Sequence, residues 1–234
     1  MVGFTAGTLD PIYTVHHTKE HPMKQLAILL PLAIAAASAA YAASPLSTAL
    51  DAAKIGELPA GWSAAHTGDG TGSDWKVLED ATAPGGKRVL AQTSAKGRGR
   101  FFNLCVADAS SYADIDMSVS FKAVAGRFDQ GGGLVWRYKD ANNYYIARMN
   151  PLEDNFRVYK VLRGTRIQLG TADVKIPMAQ WHAQRVVQRG NHIECYLDGK
   201  LLLDVKDDTF TKAGKIGLWT KADARTYFAD LQVK

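Results

Sequence analysis

From Ile115 onward the chain alternates: Ile115, Met117, Val119, Phe121 and Ala123 are apolar, with Asp116, Ser118, Ser120 and Lys122 between them. A period of two places all the apolar side chains on one face of an extended strand, a pattern that a helix with 3.6 residues per turn cannot satisfy. Comparable runs cover Gly133 to Tyr138, Tyr144 to Asn150, Asn155 to Val161, Trp181 to Gln188, His192 to Leu197, Lys200 to Val205, Lys215 to Thr220 and Arg225 to Val233. Shorter candidates lie around Trp62, Trp75 to Leu78, Val89 to Thr93 and Arg100 to Val106. Between runs stand Arg163-Gly164, Gly190-Asn191 and Asp198-Gly199; the last is a two-residue hairpin signal, because both turn positions need positive φ. The strands are therefore expected to be antiparallel. Helical periodicity is confined to Leu46 to Leu58, one or two turns at most. The expected fold is all-β, an antiparallel two-sheet β-sandwich of the jelly-roll kind.

The first 42 residues read differently. Lys24 precedes an apolar run from Leu26 to Ala40 that ends in Ala40-Tyr41-Ala42, the pattern of a secretory signal peptide. Pro31 interrupts the run, which is Ala-rich and shorter than the roughly 20 residues a membrane span needs, so no stable span is expected. The expectation is a start at Met23, cleavage after Ala42, and a periplasmic or extracellular mature chain over residues 43–234, long enough for one sandwich domain. No cysteine near the cleavage position suggests a lipid anchor. The net charge of +5 is scattered. Its one dense cluster, Lys96-Gly97-Arg98-Gly99-Arg100, reads as a solvated turn, which argues against nucleic acid as a partner. Cys105 and Cys195 are the only cysteines; a disulfide and two buried free thiols both fit their apolar strands.

Five motifs in order carry a family resemblance: Gly132-Gly133-Leu134-Val135-Trp136-Arg137, Asn143-Tyr144-Tyr145, Leu152-Glu153-Asp154-Asn155, Tyr196-Leu197-Asp198-Gly199-Lys200 and Gly217-Leu218-Trp219-Thr220-Lys221-Ala222-Asp223. With them, Gln130 to Val233 resembles the exported concanavalin A-like, laminin-G-like sandwiches of the 3-keto-disaccharide hydrolase family. The resemblance implies a carbohydrate ligand and cleavage of oxidised disaccharides. Such sandwiches also serve as lectins, adhesion modules and spacers, so fold alone does not decide the activity. The Glu-x-Asp-x-x-Glu strand motif of family 16 glycosidases is absent, which speaks against retaining hydrolysis on that template.

The candidate site residues follow from alternation and turns. On Tyr144 to Asn150, the set Tyr145, Ala147 and Met149 suits the core, leaving Tyr144, Ile146, Arg148 and Asn150 on the other face, where they either bind a sugar or meet solvent. Arg137 is expected to emerge beside the strand of Arg148, to bind ligand or to pair with a carboxylate. Pro151 ends that strand, and Glu153, Asp154 and Asn155 follow in a loop. Such loops bind Ca²⁺, position a general acid and base, or cap turns and pair with arginines. Glu153 and Asp154 are the catalytic candidates. Trp219 is either a sugar platform at a strand end or core filling, with Lys221 and Asp223 in the loop beyond it. His66, His182 and His192 lack metal-ligand spacing, so no His-built metal site is expected, and Ca²⁺ is the one cofactor the residues leave open. Gly131-Gly132-Gly133 reads as a bulge or a close backbone approach.

Two functions from different classes remain open. One is an enzyme of the 3-keto-glycoside type, with Glu153 or Asp154 as base and Arg148 or a bound cation stabilising the oxyanion. The other is a non-catalytic saccharide-binding module or envelope interaction domain, with Tyr144, Arg148, Asn150 and Trp219 as the platform.

Overall fold

A computed structural model describes residues 50–234, all of them within one compact unit, Tyr41–Lys234. The proposed leader, its cleavage position and residues 46–49 of the expected N-terminal helical turns fall outside the described residues. Of those turns, residues 50–52 are helical, and residues 53–58 form turns and bends rather than helix.

The strands are β1 (Trp62–Thr67), β2 (Trp75–Glu79), β3 (Arg88–Gln92), β4 (Phe102–Ala107), β5 (Ile115–Ala125), β6 (Gly132–Asp140), β7 (Asn143–Asn150), β8 (Asn155–Leu162), β9 (Thr165–Asp173), β10 (His182–Arg189), β11 (His192–Leu197), β12 (Lys200–Lys206), β13 (Lys215–Lys221) and β14 (Arg225–Val233). They form two seven-stranded antiparallel sheets, ordered β1-β4-β13-β6-β7-β8-β9 and β12-β11-β10-β5-β14-β3-β2. The fold is the expected all-β sandwich. β9, however, is absent from the sequence expectations; it is an edge strand with a largely exposed, mixed-polarity face, so no clean alternation marks it. β13 and β14 lie inside the two sheets rather than at their edges.

The alternation of β5 is reproduced: Ile115, Met117, Val119, Phe121 and Ala123 are buried in the core between the sheets. Leu134 and Trp136 from β6, Tyr145, Ala147 and Met149 from β7, and Phe156 and Val158 from β8 meet them from the facing sheet. Trp136 stacks on Tyr145 with ring centroids 5.5 Å apart, and its indole N–H donates to Gln188 Oε1 at 2.5 Å. Asp198 and Gly199 have φ of 49° and 80°, the left-handed pair that a two-residue hairpin between β11 and β12 demands. At Gly133 a Cβ would stand 1.9 Å from the carbonyl oxygen of Ala147, so only glycine permits this pairing of β6 with β7.

The first sheet has a second apolar layer on its other face, made by Phe102, Leu104 and Val106 of β4, Val135, Tyr144, Ile146, Tyr159, Val161 and Trp219. Strong curvature accounts for it. Thr67 on β1 and Tyr144 on β7 place their hydroxyls 2.8 Å apart although β4, β13 and β6 lie between them. In a flat sheet four strand spacings would separate them by about 19 Å. This face is therefore concave, and its own aromatics fill its middle.

Arg137 departs from its expected place. The register breaks between Trp136 and Asp140, and Arg137 takes a φ of 44°. Its buried guanidinium donates to the carbonyls of Ala113 (2.8 Å), Gly190 (2.7 Å) and Phe210. The bulge cancels the alternation that would have sent it out beside Arg148. Cys105 and Cys195 are free, buried thiols on opposite sheets.

Candidate functional site at the loop end of the curled sheet

The β7–β8 connection gathers the polar residues. Pro151 has no N–H to extend β7. Asn150 closes the turn: its Oδ1 accepts from the Leu152 N–H at 3.0 Å and its carbonyl accepts from the Glu153 N–H at 3.2 Å. Asp154 completes the reversal with a φ of 48°. The antiparallel register then sets Asn150 opposite Asn155 and Arg148 opposite Arg157.

Arg148 is 1% exposed. Its Nη1 donates to Asn155 Oδ1 at 2.7 Å, and its Nη2 donates to Glu153 Oε2 at 2.8 Å and to the Tyr159 hydroxyl at 3.3 Å. Its Nε is buried without a hydrogen-bond partner among the described residues. Glu153 Oε2 also receives Asn155 Nδ2 at 3.2 Å and Arg157 Nη1 at 3.3 Å. Three donors thus converge on one carboxylate oxygen, and Oε1 receives no hydrogen bond from the described residues. Burial alone would raise the Glu153 pKa, but the hydrogen bond and charge of Arg148, with Asn155, outweigh it and hold the group at about 2. At neutral pH Glu153 is an oriented, permanently charged acceptor and a weak base.

A second knot lies beside the first. Lys221 at the end of β13 pairs with the buried Asp129 at 2.5 Å. Asp129 Oδ1 accepts from Asn150 Nδ2 at 3.2 Å and from the Gly131 N–H at 2.7 Å. The Asp223 carboxylate accepts the backbone N–H groups of Arg127, Phe128 and Asp129 at 2.8 to 3.2 Å, fixing the loop that carries Asp129. Asn155 bonds Arg148 and Glu153 directly, whereas Lys221 and Asp223 meet at Asp129, which reaches the first knot through Asn150, whose carbonyl accepts from the Glu153 N–H; no local pattern singles Asp129 out.

The remaining candidates lie elsewhere. Trp219 is fully buried in the concave layer, tilted on Phe102 with centroids 5.1 Å apart. Tyr144 is buried with its hydroxyl on Thr67, and burial pushes its phenol pKa well up. Arg137 is four residues along β6 from Gly133, the partner of Arg148, or about 13 Å along the strand. Asp154 points to the exposed Lys175 at 3.6 Å.

Sequence reasoning also missed Tyr159 and Arg166. Arg166, on β9, reaches across the curl to lie over Tyr159 (4.4 Å), Phe102 (5.1 Å) and Trp219 (5.7 Å). With Arg100, Phe102, Thr165 and Lys221 it lines a pocket of about 180 Å³. Only curvature brings β9 and β4 together, so no local pattern could have announced this pocket.

The two carboxylates of the β7–β8 loop diverge, one to arginines and one to Lys175, so they do not share a Ca²⁺ shell. Elsewhere, cross-strand pairing brings the ligand atoms of His192, Glu194 and Asp204 within 4.8 Å of one another at the surface, a grouping that sequence spacing hides. Among the described residues no helix is long and apolar enough to cross a membrane.

Comparison with solved structures finds the same sandwich architecture in other proteins. The carbohydrate binding module CBM66 from Bacillus subtilis superposes with a TM-score of 0.58 at 19% identity, over 74% of this chain and 95% of that one. A Bacillus subtilis protein of unknown function with a galectin-like fold gives 0.51 at 12% identity, over 74% and 88%. At these identities the likeness is one of fold. No curated protein matches the sequence. The 3-keto-alpha-glucoside-1,2-lyase-like domain matches residues 56–234, β1 to the C-terminus, with every polar residue of the loop end inside the match. The chain belongs to the family of 3-keto-alpha-glucoside-1,2-lyase-like domains.

Proposed function

We propose that this is an exported, saccharide-directed sandwich that holds its ligand at the loop end of the curled sheet, against Glu153, Arg157 and Lys221. The observation that carries this reading is the Glu153 carboxylate, fixed through Oε2 by Arg148, Arg157 and Asn155 with Oε1 left to accept. A fixed anion with one free oxygen is a good acceptor for a sugar hydroxyl, and charge-assisted hydrogen bonds of this kind are the strong ones. Arg148 and Asn155, both buried, act as positioning residues. The export component rests on Lys24, the apolar run to Ala40 and Ala40-Tyr41-Ala42.

Family membership favours a second reading, elimination from a 3-keto-glycoside. The ketone acidifies the proton on the neighbouring C2. Glu153 Oε1 takes that proton, the electron pair forms the C1–C2 double bond, the glycosidic C1–O bond breaks, and the leaving oxygen takes up the proton that Glu153 accepted. Arg157 or Lys221 would stabilise the enolate oxygen. The low pKa of Glu153 makes it a weak base, which sets binding first and elimination second.

Calorimetric titration of the purified chain with a 3-keto-disaccharide, alongside product analysis, decides the matter. Saturable binding weakened at least about tenfold in Glu153→Gln is expected, from the loss of one charged hydrogen bond. Unchanged affinity in a folded variant would remove Glu153 from the site. Product formed by the parent chain and not by Glu153→Gln would promote the elimination reading.

A further inference from the structure

We infer that the pocket between Arg100, Arg166 and Lys221 takes an oxyanion, a carboxylate or sulfate carried by the bound saccharide, so that the ligand class is an acidic glycan. The inference rests on the saccharide-directed reading above.

Three cationic side chains and no carboxylate line this pocket. The nearest acids are committed: Asp129 to Lys221 and Glu153 to Arg148 and Arg157. Arg166 lies over three aromatic rings and forms no hydrogen bond or ion pair with the described residues, and its Nη1 is buried without a hydrogen-bond partner among them. Stacking on aromatic faces offsets part of the cost of enclosing a guanidinium, but it leaves the in-plane N–H donors unused. A planar fork with idle donors, facing a positive cavity, matches the two oxygens of a carboxylate or sulfate. Burial, followed by the like charge of Arg148, holds the Arg166 pKa below its ordinary value, as expected for a cation that lacks a counter-ion.

The surroundings extend the positive field. Arg98, from the loop that carries Arg100, stacks on the half-exposed Phe128 at 4.4 Å, and Arg127 lies 5.4 Å from the same ring. The basic cluster is the solvated turn expected from sequence, and its Arg100 borders the pocket.

The test is calorimetric titration of the full chain with a matched set: a neutral glucose disaccharide, the same disaccharide with a C6 carboxylate, the same with a C6 sulfate ester, and sodium sulfate alone. At least one acidic form is expected to bind about tenfold or more tightly than the neutral one, with the advantage shrinking as salt screens it. The better of the two identifies the anion. Arg166→Gln removes the advantage; Arg100→Gln, at an exposed position, reduces it without touching the aromatic layer and serves if Arg166→Gln fails to fold. Equal affinity for neutral and acidic forms overturns the anion inference and leaves the saccharide reading standing. Binding of sulfate alone, lost in Arg100→Gln, with no saccharide bound, overturns the saccharide reading and makes the pocket an inorganic oxyanion site. No binding by any probe overturns both.

Discussion

Glu153 and Arg148 form an unequal pair, and the inequality has consequences for stability. The arginine is almost wholly enclosed, whereas the glutamate side chain is 35% exposed and keeps Arg157 as a second partner. Removing the arginine leaves a carboxylate that water can reach; removing the carboxylate leaves a buried cation. Glu153→Ala is therefore expected to destabilise the protein by about 3 kcal/mol, the scale for orphaning a buried charge, and more than Arg148→Met does. Urea unfolding of the two variants checks the order. The same pair sets a pH dependence. Glu153 titrates near 2 when folded, against an ordinary value of 4.5, so it contributes stability that is fully present above about 4.5 and lost as the pH falls toward 2. Asp207 is held at about 2 despite the opposing effect of burial, through Lys160, Thr209 and Tyr145, and acts in the same direction. Thermal melts between pH 5 and 2 should fall more steeply for the parent chain than for Glu153→Gln, with Asp207→Asn flattening the remainder.

Among the strands, legibility followed burial. β5 has one face in the core and one outside, so its alternation survives intact in the sequence. In β7 the residues from Tyr144 to Asn150 are all buried, yet the division into Tyr145, Ala147 and Met149 against Tyr144, Ile146, Arg148 and Asn150 is the one the structure adopts. What alternation could not convey is that the second face is itself covered, because that follows from curvature accumulated over seven strands. Hence Trp219 and Tyr144, read as candidates for contact with a ligand, are internal, and Arg166 on the unrecognised β9 is at the pocket. Residues adjacent in the β7–β8 hairpin, Arg148, Glu153 and Asn155, could be grouped from sequence; Asp129 and Arg166 needed the tertiary structure. The β6–β7 pairing gives a direct test of how tightly these strands are matched. Gly133→Ala would force a methyl group into the Ala147 carbonyl, and the expected loss is about 3 kcal/mol, at the upper end for overpacking, read from urea midpoints.

For the molecule as a whole, the two thiols provide a measure of integrity. Both are buried and unpaired, and burial pushes their pKa values up, so a thiol reagent should label neither in the native protein and both after denaturation. Reductant should leave the melting temperature unchanged; a fall would mean that a disulfide forms. A larger consequence follows from where β13 and β14 lie. β13 joins the β1-β4 pair to the rest of one sheet, and β14 joins the β3-β2 pair to the rest of the other. During synthesis on a ribosome β1 to β4 emerge early, yet their places in both sheets are completed only by residues 215–233. Neither sheet can therefore be completed before β13 and β14 are made, whereas β6 to β9 and β10 to β12, which pair with their chain neighbours, need not wait. For a protein that we propose crosses a membrane before folding, keystone strands made this late would delay closure of both sheets.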